Sequence, residues 1–75
     1  MSTDLKAAAA KAKALPERQR AVLMCLARGL LVKETASELC MAERTVKNTR
    51  AMIYGKLGVN NAVEAMRVAY QANLV

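Results

Sequence analysis

A chain with no Phe, no Trp and only two Tyr must build its core from aliphatic side chains, and that restriction narrows the folds open to it. Its apolar residues are mostly Ala, Leu, Val and Met, and with only three Gly and one Pro the balance favours helices over strands. At 75 residues the chain is expected to be one domain, near the lower size at which a core holds without disulfide or metal support. The expected fold class is therefore all-α.

The few punctuating residues divide the chain. Residues 1–14, "MSTDLKAAAAKAKA", are rich in Ala and Lys, with Ser2 or Thr3 followed by Asp4 as a helix start. They lack the bulky apolar side chains that pack, so this segment is expected to be a flexible or helical N-terminal arm. From Leu15 the pattern strengthens. Pro16 suits a first helical turn, and Val22, Leu23, Leu26 and Leu30 recur at helical spacing, which predicts a helix over 16–28 stopped by Gly29. A second short helix over 33–40 buries Ala36 and Leu39. "CMAE" forms a turn to a third helix over 43–57 that ends at Gly58, and Asn60 or Asn61 caps a fourth running to about residue 73. Two helices joined by about four residues are what a helix-turn-helix requires, so residues 15–75 read as a four-helix domain of that kind.

Charge and missing residue types exclude several functions. A net charge of +6 points to an anionic partner, either nucleic acid or an acidic membrane surface, with plain solubility as the competing explanation. The longest apolar run, "AVLMCLA", is too short to span a bilayer and no signal peptide is recognisable, so a cytoplasmic protein is expected. Cys25 and Cys40 are the only thiols and there is no His, which leaves too few ligands for a structural zinc. Both cysteines are expected to be small buried hydrophobes in a reducing compartment. Without His, a Gly-rich phosphate loop or a nucleophile elbow, the chain is not expected to be an enzyme or to carry a cofactor.

The third helix shows where the charge is concentrated. On a wheel of about 100° per residue, Val46, Ile53 and Leu57 form one narrow stripe and Arg44, Lys47, Asn48, Ala51 and Gly55 another on the opposite side. The second stripe suits a helix in the DNA major groove: Arg or Lys donates to guanine O6 and N7, Asn pairs with adenine N6 and N7, and Ala meets a thymine methyl. Arg44, Lys47, Asn48 and Ala51 are the candidate base-facing residues. Thr45, Thr49 and Arg50 flank them as candidate contacts to the DNA backbone. Glu43, the one acid of this helix, stands in the first turn where the helix dipole favours it. By the same reading the N-terminal arm either lies near DNA phosphates or is simply solvated.

The fourth helix has an unusually wide apolar arc of about 240°, formed by Val63, Ala65, Met66, Val68, Ala69, Tyr70, Ala72 and Leu74. Packing within one domain needs little more than about 100°. The surplus suggests a homodimer, with Ala65, Val68, Ala69 and Ala72 as the expected interface and two recognition helices presented to a two-fold DNA site.

With these residues in view, the sequence from Leu15 to Ala69 resembles the LuxR-type (GerE-like) helix-turn-helix domain of bacterial transcription regulators. The matching segments are "LPERQRAVLMCLARG", Lys33 and Glu34, Ala36 and Leu39, and "ERTVKNTRAMIYGKLGVNNAVEA". The resemblance implies that the third helix reads the major groove and that the fourth often mediates dimerisation. By position it places Lys47, Asn48 and Ala51 toward bases, and puts Lys33, Thr45, Thr49 and Arg50 where the family holds phosphates or orients the recognition helix. If the sequence is the intact product, it resembles the short stand-alone members, with activity set by abundance or by a partner such as RNA polymerase or another regulator; for an excised domain that expectation lapses.

Several positions depart from that family pattern. Ala42 stands where a capping Ser is common, Thr49 where His is common, and Cys40 where Gly is common. Leu31 and Val32 replace a polar pair at the start of the second helix, and Ala62 replaces a common Arg. The opening "LPERQRAVL" also resembles region four of sigma factors, but the "KLGV" and "VEA" segments favour the LuxR type. A different class of function stays open: a helix-turn-helix interaction module that binds and modulates another regulator or the polymerase.

Overall fold

The structure, a computed structural model, describes residues 4–74; Ser2 and Thr3, candidates above for a helix start, lie outside the described residues. It contains α1 (Leu5–Lys13), α2 (Glu17–Ala27), α3 (Val32–Leu39), α4 (Glu43–Leu57) and α5 (Ala62–Gln71). Among the described residues there is no strand, and no helix is long and apolar enough to cross a membrane.

The ends of the helices follow from local chemistry. Asp4 caps α1, its carboxylate accepting from the backbone N–H of Lys6 at 3.1 Å and of Ala7 at 3.2 Å. After α2, Gly29 takes the left-handed conformation at φ 85°, and the Leu30 N–H then turns back to the Cys25 carbonyl at 3.0 Å. Gly58 ends α4 in the same way at φ 72°. At the start of α5, Asn61 accepts from the Glu64 N–H at 3.0 Å while Glu64 accepts from the Asn60 N–H at 2.8 Å. The apolar start of α3 is also satisfied, because the Glu34 carboxylate reaches back to the Leu31 N–H at 2.8 Å.

The core gathers Val22, Leu23 and Leu26 of α2, Val46, Ile53 and Leu57 of α4, and Ala65, Val68 and Ala69 of α5, with Ala36 of α3. The stripe read on the third helix is therefore the buried one. Thr35 is fully buried beside this apolar set, and its hydroxyl has no partner.

Two expectations need correction. The segment read as an arm without packing residues contains a docked helix: α1 lies against α5 and α4, with Ala8, Ala9 and Ala12 buried. Bulk is not needed there, because small side chains on α1 and α5 let the helices approach closely. The Arg20 guanidinium secures the following turn by donating to the carbonyls of Lys13 at 3.4 Å and Leu15 at 3.2 Å.

The second correction concerns the dimer quartet. Ala65, Val68 and Ala69 are 0% exposed and Ala72 is 2% exposed inside the protomer, so none of them presents a surface to a second copy. The wide arc has an internal cause: α5 packs against both α1 and α2, and two neighbours occupy two stripes. Only Val63, at 62%, and Tyr70, at 54%, remain as large exposed apolar residues of α5. The Tyr70 hydroxyl donates to the Ala27 carbonyl at 3.0 Å, which fixes its ring across the end of α2.

Of the two cysteines expected to be buried, Cys25 is and Cys40 is not. Cys25 is buried, and that burial, with the Glu38 carboxylate adding to it, pushes its thiol up from the ordinary range against the opposing charges of Arg28 and Arg50. Cys40 is exposed because it ends α3 in the left-handed conformation, at φ 55°, which turns the chain outward into the next loop.

Candidate nucleic-acid interface

The helix-turn-helix consists of α3, the turn Cys40–Ala42 and α4. A non-glycine residue in the left-handed region costs roughly 1–2 kcal/mol, yet Cys40 adopts it, because the corner must place α4 against α3. The bond from the Met41 N–H to the Ala36 carbonyl, at 2.9 Å, closes this corner. The first turn of α4 has no side-chain cap, since Ala42 offers no acceptor. Its first N–H groups are therefore left open at a surface bordered by Thr45 and by Arg18 of α2, along a groove of about 440 Å³.

On α4, Arg44, Lys47, Asn48 and Ala51 are all exposed and, at helical spacing, share the side opposite Val46, Ile53 and Leu57. Gly55 continues that side, and a Cβ placed on it would meet nothing within 4 Å. Among the described residues the one salt bridge joins Arg28 to Glu38 at 3.1 Å, so Arg44 and Lys47 carry their charges without an acidic partner. The same holds for Lys33, exposed in the first turn of α3, and Thr45 is exposed beside the groove.

Two of the residues read as backbone contacts are committed elsewhere. Thr49 is 9% exposed and its hydroxyl donates to the Thr45 carbonyl one turn back, at 2.7 Å. Arg50 is half-buried; its Nη2 donates to the Leu30 carbonyl at 2.8 Å, and its Nε is buried without a partner. Both fall at the edge of the buried stripe, where a side chain folds onto the protein rather than outward.

Sequence reading missed Gln19 and Arg18. Gln19 joins α2 to α4, accepting from Lys56 Nζ at 2.8 Å and donating to Met52 Sδ at 3.2 Å. Arg18 supplies a further exposed cation beside Thr45. A signal for Arg18 was present: it is a cation in the first turn of a helix, where the dipole disfavours positive charge.

Comparison with known proteins identifies this arrangement. Residues 13–69 match the model of the luxR family of bacterial regulatory proteins, GerE. The chain belongs to this family. It is 41% identical over 61 residues to the transcriptional regulatory protein YdfI of Bacillus subtilis, covering 81% of this chain and 29% of that protein. It is 43% identical over 63 residues to the transcriptional regulatory protein UhpA of Escherichia coli, covering 84% and 32%. Against the probable HTH-type transcriptional regulator GfsR of Streptomyces halstedii it is 45% identical over 53 residues, covering 71% and 22%. The chain thus spans less than a third of the length of each of these luxR-type relatives. Membership in the luxR family makes it a DNA-binding regulatory domain and not an enzyme. Most of α1 lies ahead of the matched span.

Proposed function

We propose that the chain binds double-stranded DNA sequence-specifically and regulates transcription in the cytoplasm, with α4 seated in the major groove. The observation that carries this reading is the outward side of α4: Arg44, Lys47, Asn48 and Ala51 are exposed and free of acidic partners, while the opposite side anchors the helix in the core. Arg44 and Lys47 donate to guanine, Asn48 pairs with adenine, and Ala51 and Gly55 let the backbone come close. Lys33, Arg18 and the open N–H groups at the start of α4 hold phosphates and set the register. Thr45 joins them with its hydroxyl.

Pairing of two chains is part of the proposal, through the exposed Val63 and Tyr70, two turns apart on α5, rather than through the buried Ala65, Val68, Ala69 and Ala72. Two copies present two α4 helices to a two-fold site.

The test is duplex selection from a random library, followed by titration at several salt concentrations. Binding to the selected duplex is expected to weaken steeply with salt as counterions are released. Lys47→Ala should reduce discrimination between sequences by about 1–3 kcal/mol, and Lys33→Ala should weaken all duplexes alike. Unchanged preference and affinity in both variants would refute the groove assignment. Sedimentation of the wild type beside Tyr70→Glu reads the pairing; a wild type that stays monomeric on its two-fold site removes that part.

One observation favours a second reading. Leu31 is 69% exposed beside the partly buried Val32, and none of the base or phosphate contacts proposed above engages it. It suits an interaction module that binds another regulator or RNA polymerase. Failure to select any duplex, together with saturable binding to such a protein, is the result that would place the chain in this class.

A further inference from the structure

The Leu30 backbone is where three helices meet. Its N–H is bonded to the Cys25 carbonyl of α2, its carbonyl accepts from Arg50 of α4, and the next residue, Leu31, opens α3. On the other flank of α4, Met52 and Lys56 are bonded to Gln19 of α2. At about 100° per residue, Arg50 falls on one side of the Val46, Ile53 and Leu57 stripe, and Met52 and Lys56 fall on the other.

Aliphatic contacts are not directional, so the buried stripe fixes the roll of α4 less sharply than bonds to particular atoms do. A roll of about 20° at the ~5 Å radius of the side-chain shell shifts a hydrogen-bonding atom by roughly 2 Å, enough to break a contact with a base edge. Directional bonds on both flanks narrow the range of roll. The buried Nε of Arg50 has no partner, so the guanidinium is drawn into this corner at a cost that a solvated surface cation would not bear.

We propose that Arg50 is a positioning residue for base recognition: by tying α4 to the Leu30 carbonyl it sets the roll of the helix, and with it which side chains reach the bases. This rests on the reading of α4 as the groove helix. It assigns Arg50 a role distinct from a phosphate contact, and the two roles have different signatures.

The test compares wild type, Arg50→Met and Arg50→Lys on the selected duplex and on a scrambled one, across a range of salt. For Arg50→Met, affinity for the selected duplex should fall on the order of tenfold, with the scrambled duplex and the salt slope unchanged. A slope shallower by about 0.9, with both duplexes weakened alike, overturns the proposal and makes Arg50 a phosphate contact. Arg50→Lys keeps the charge on a shorter reach and should lose preference partly at constant slope; wild-type preference in this variant counts against the brace, and this arm remains if Arg50→Met does not fold.

Hydrogen exchange of the free protein reads the brace without DNA. The Leu31 and Val32 amides should exchange faster in Arg50→Met relative to Val68 in α5. Unchanged exchange refutes the brace, whereas a wild type with no sequence preference refutes the DNA reading and leaves this measurement to stand alone.

Discussion

The α2–α4 interior and the α1–α5 seam reach similar burial by opposite means. α2 and α4 fill their shared interior with Val22, Leu23, Leu26, Val46, Ile53 and Leu57, whereas α1 contributes Ala8, Ala9 and Ala12 to its contact with α5. Each buried methylene is worth about 0.8 kcal/mol, so an Ile in the first region carries several times what an Ala carries in the second. The helix starts show the reverse. α1 and α5 have side-chain caps from Asp4 and Asn61, while α2 and α4 begin at Pro16 and Ala42 with none. In the α2–α4 interior the bulky core holds helices whose first turns lack a side-chain cap.

The sharpest way to break this contrast is to remove bulk from the first region. Ile53→Ala should destabilise by about 2–5 kcal/mol in urea unfolding, because it leaves a cavity that branched neighbours cannot fill. Adding bulk to the seam should matter less but in the same direction. Ala12→Leu is expected to cost about 1–3 kcal/mol, since two closely approached helices have no room for the extra carbons; a neutral outcome would mean that α1 is not docked as described. The smallest effect tests the bare terminus. Ala42→Ser supplies the missing acceptor and should stabilise by about 1 kcal/mol, read as a rise in the unfolding midpoint.

Much of the helix-turn-helix was legible because its residues signal in one dimension. Gly29 and Gly58 stand where the chain turns left-handed, Asn61 is a cap, and Val46, Ile53 and Leu57 recur with the helical period. Arg44, Lys47, Asn48 and Ala51 emerged together on one exposed side for the same reason. A wheel gives direction but not reach. It therefore could not show that Thr49 bonds back to its own helix or that Arg50 bends across to Leu30.

The seam was illegible for a different reason. Alanine has the same weak signal on a solvated helix as in a close-packed one, so neither the docking of α1 nor the burial of Ala65, Ala69 and Ala72 could be read before the partner helix was known. Cys40 was misplaced because its exposure follows from backbone conformation rather than from side-chain character.

The contact between the first helix and the last has a consequence for connectivity. It closes the longest loop in the molecule, yet the entropy of closing a loop grows only with the logarithm of its length, about 0.6 kcal/mol for each doubling. Drawing the chain into a ring is thus only slightly harder than making one of its local corners, and a seam of alanines is enough to hold it shut.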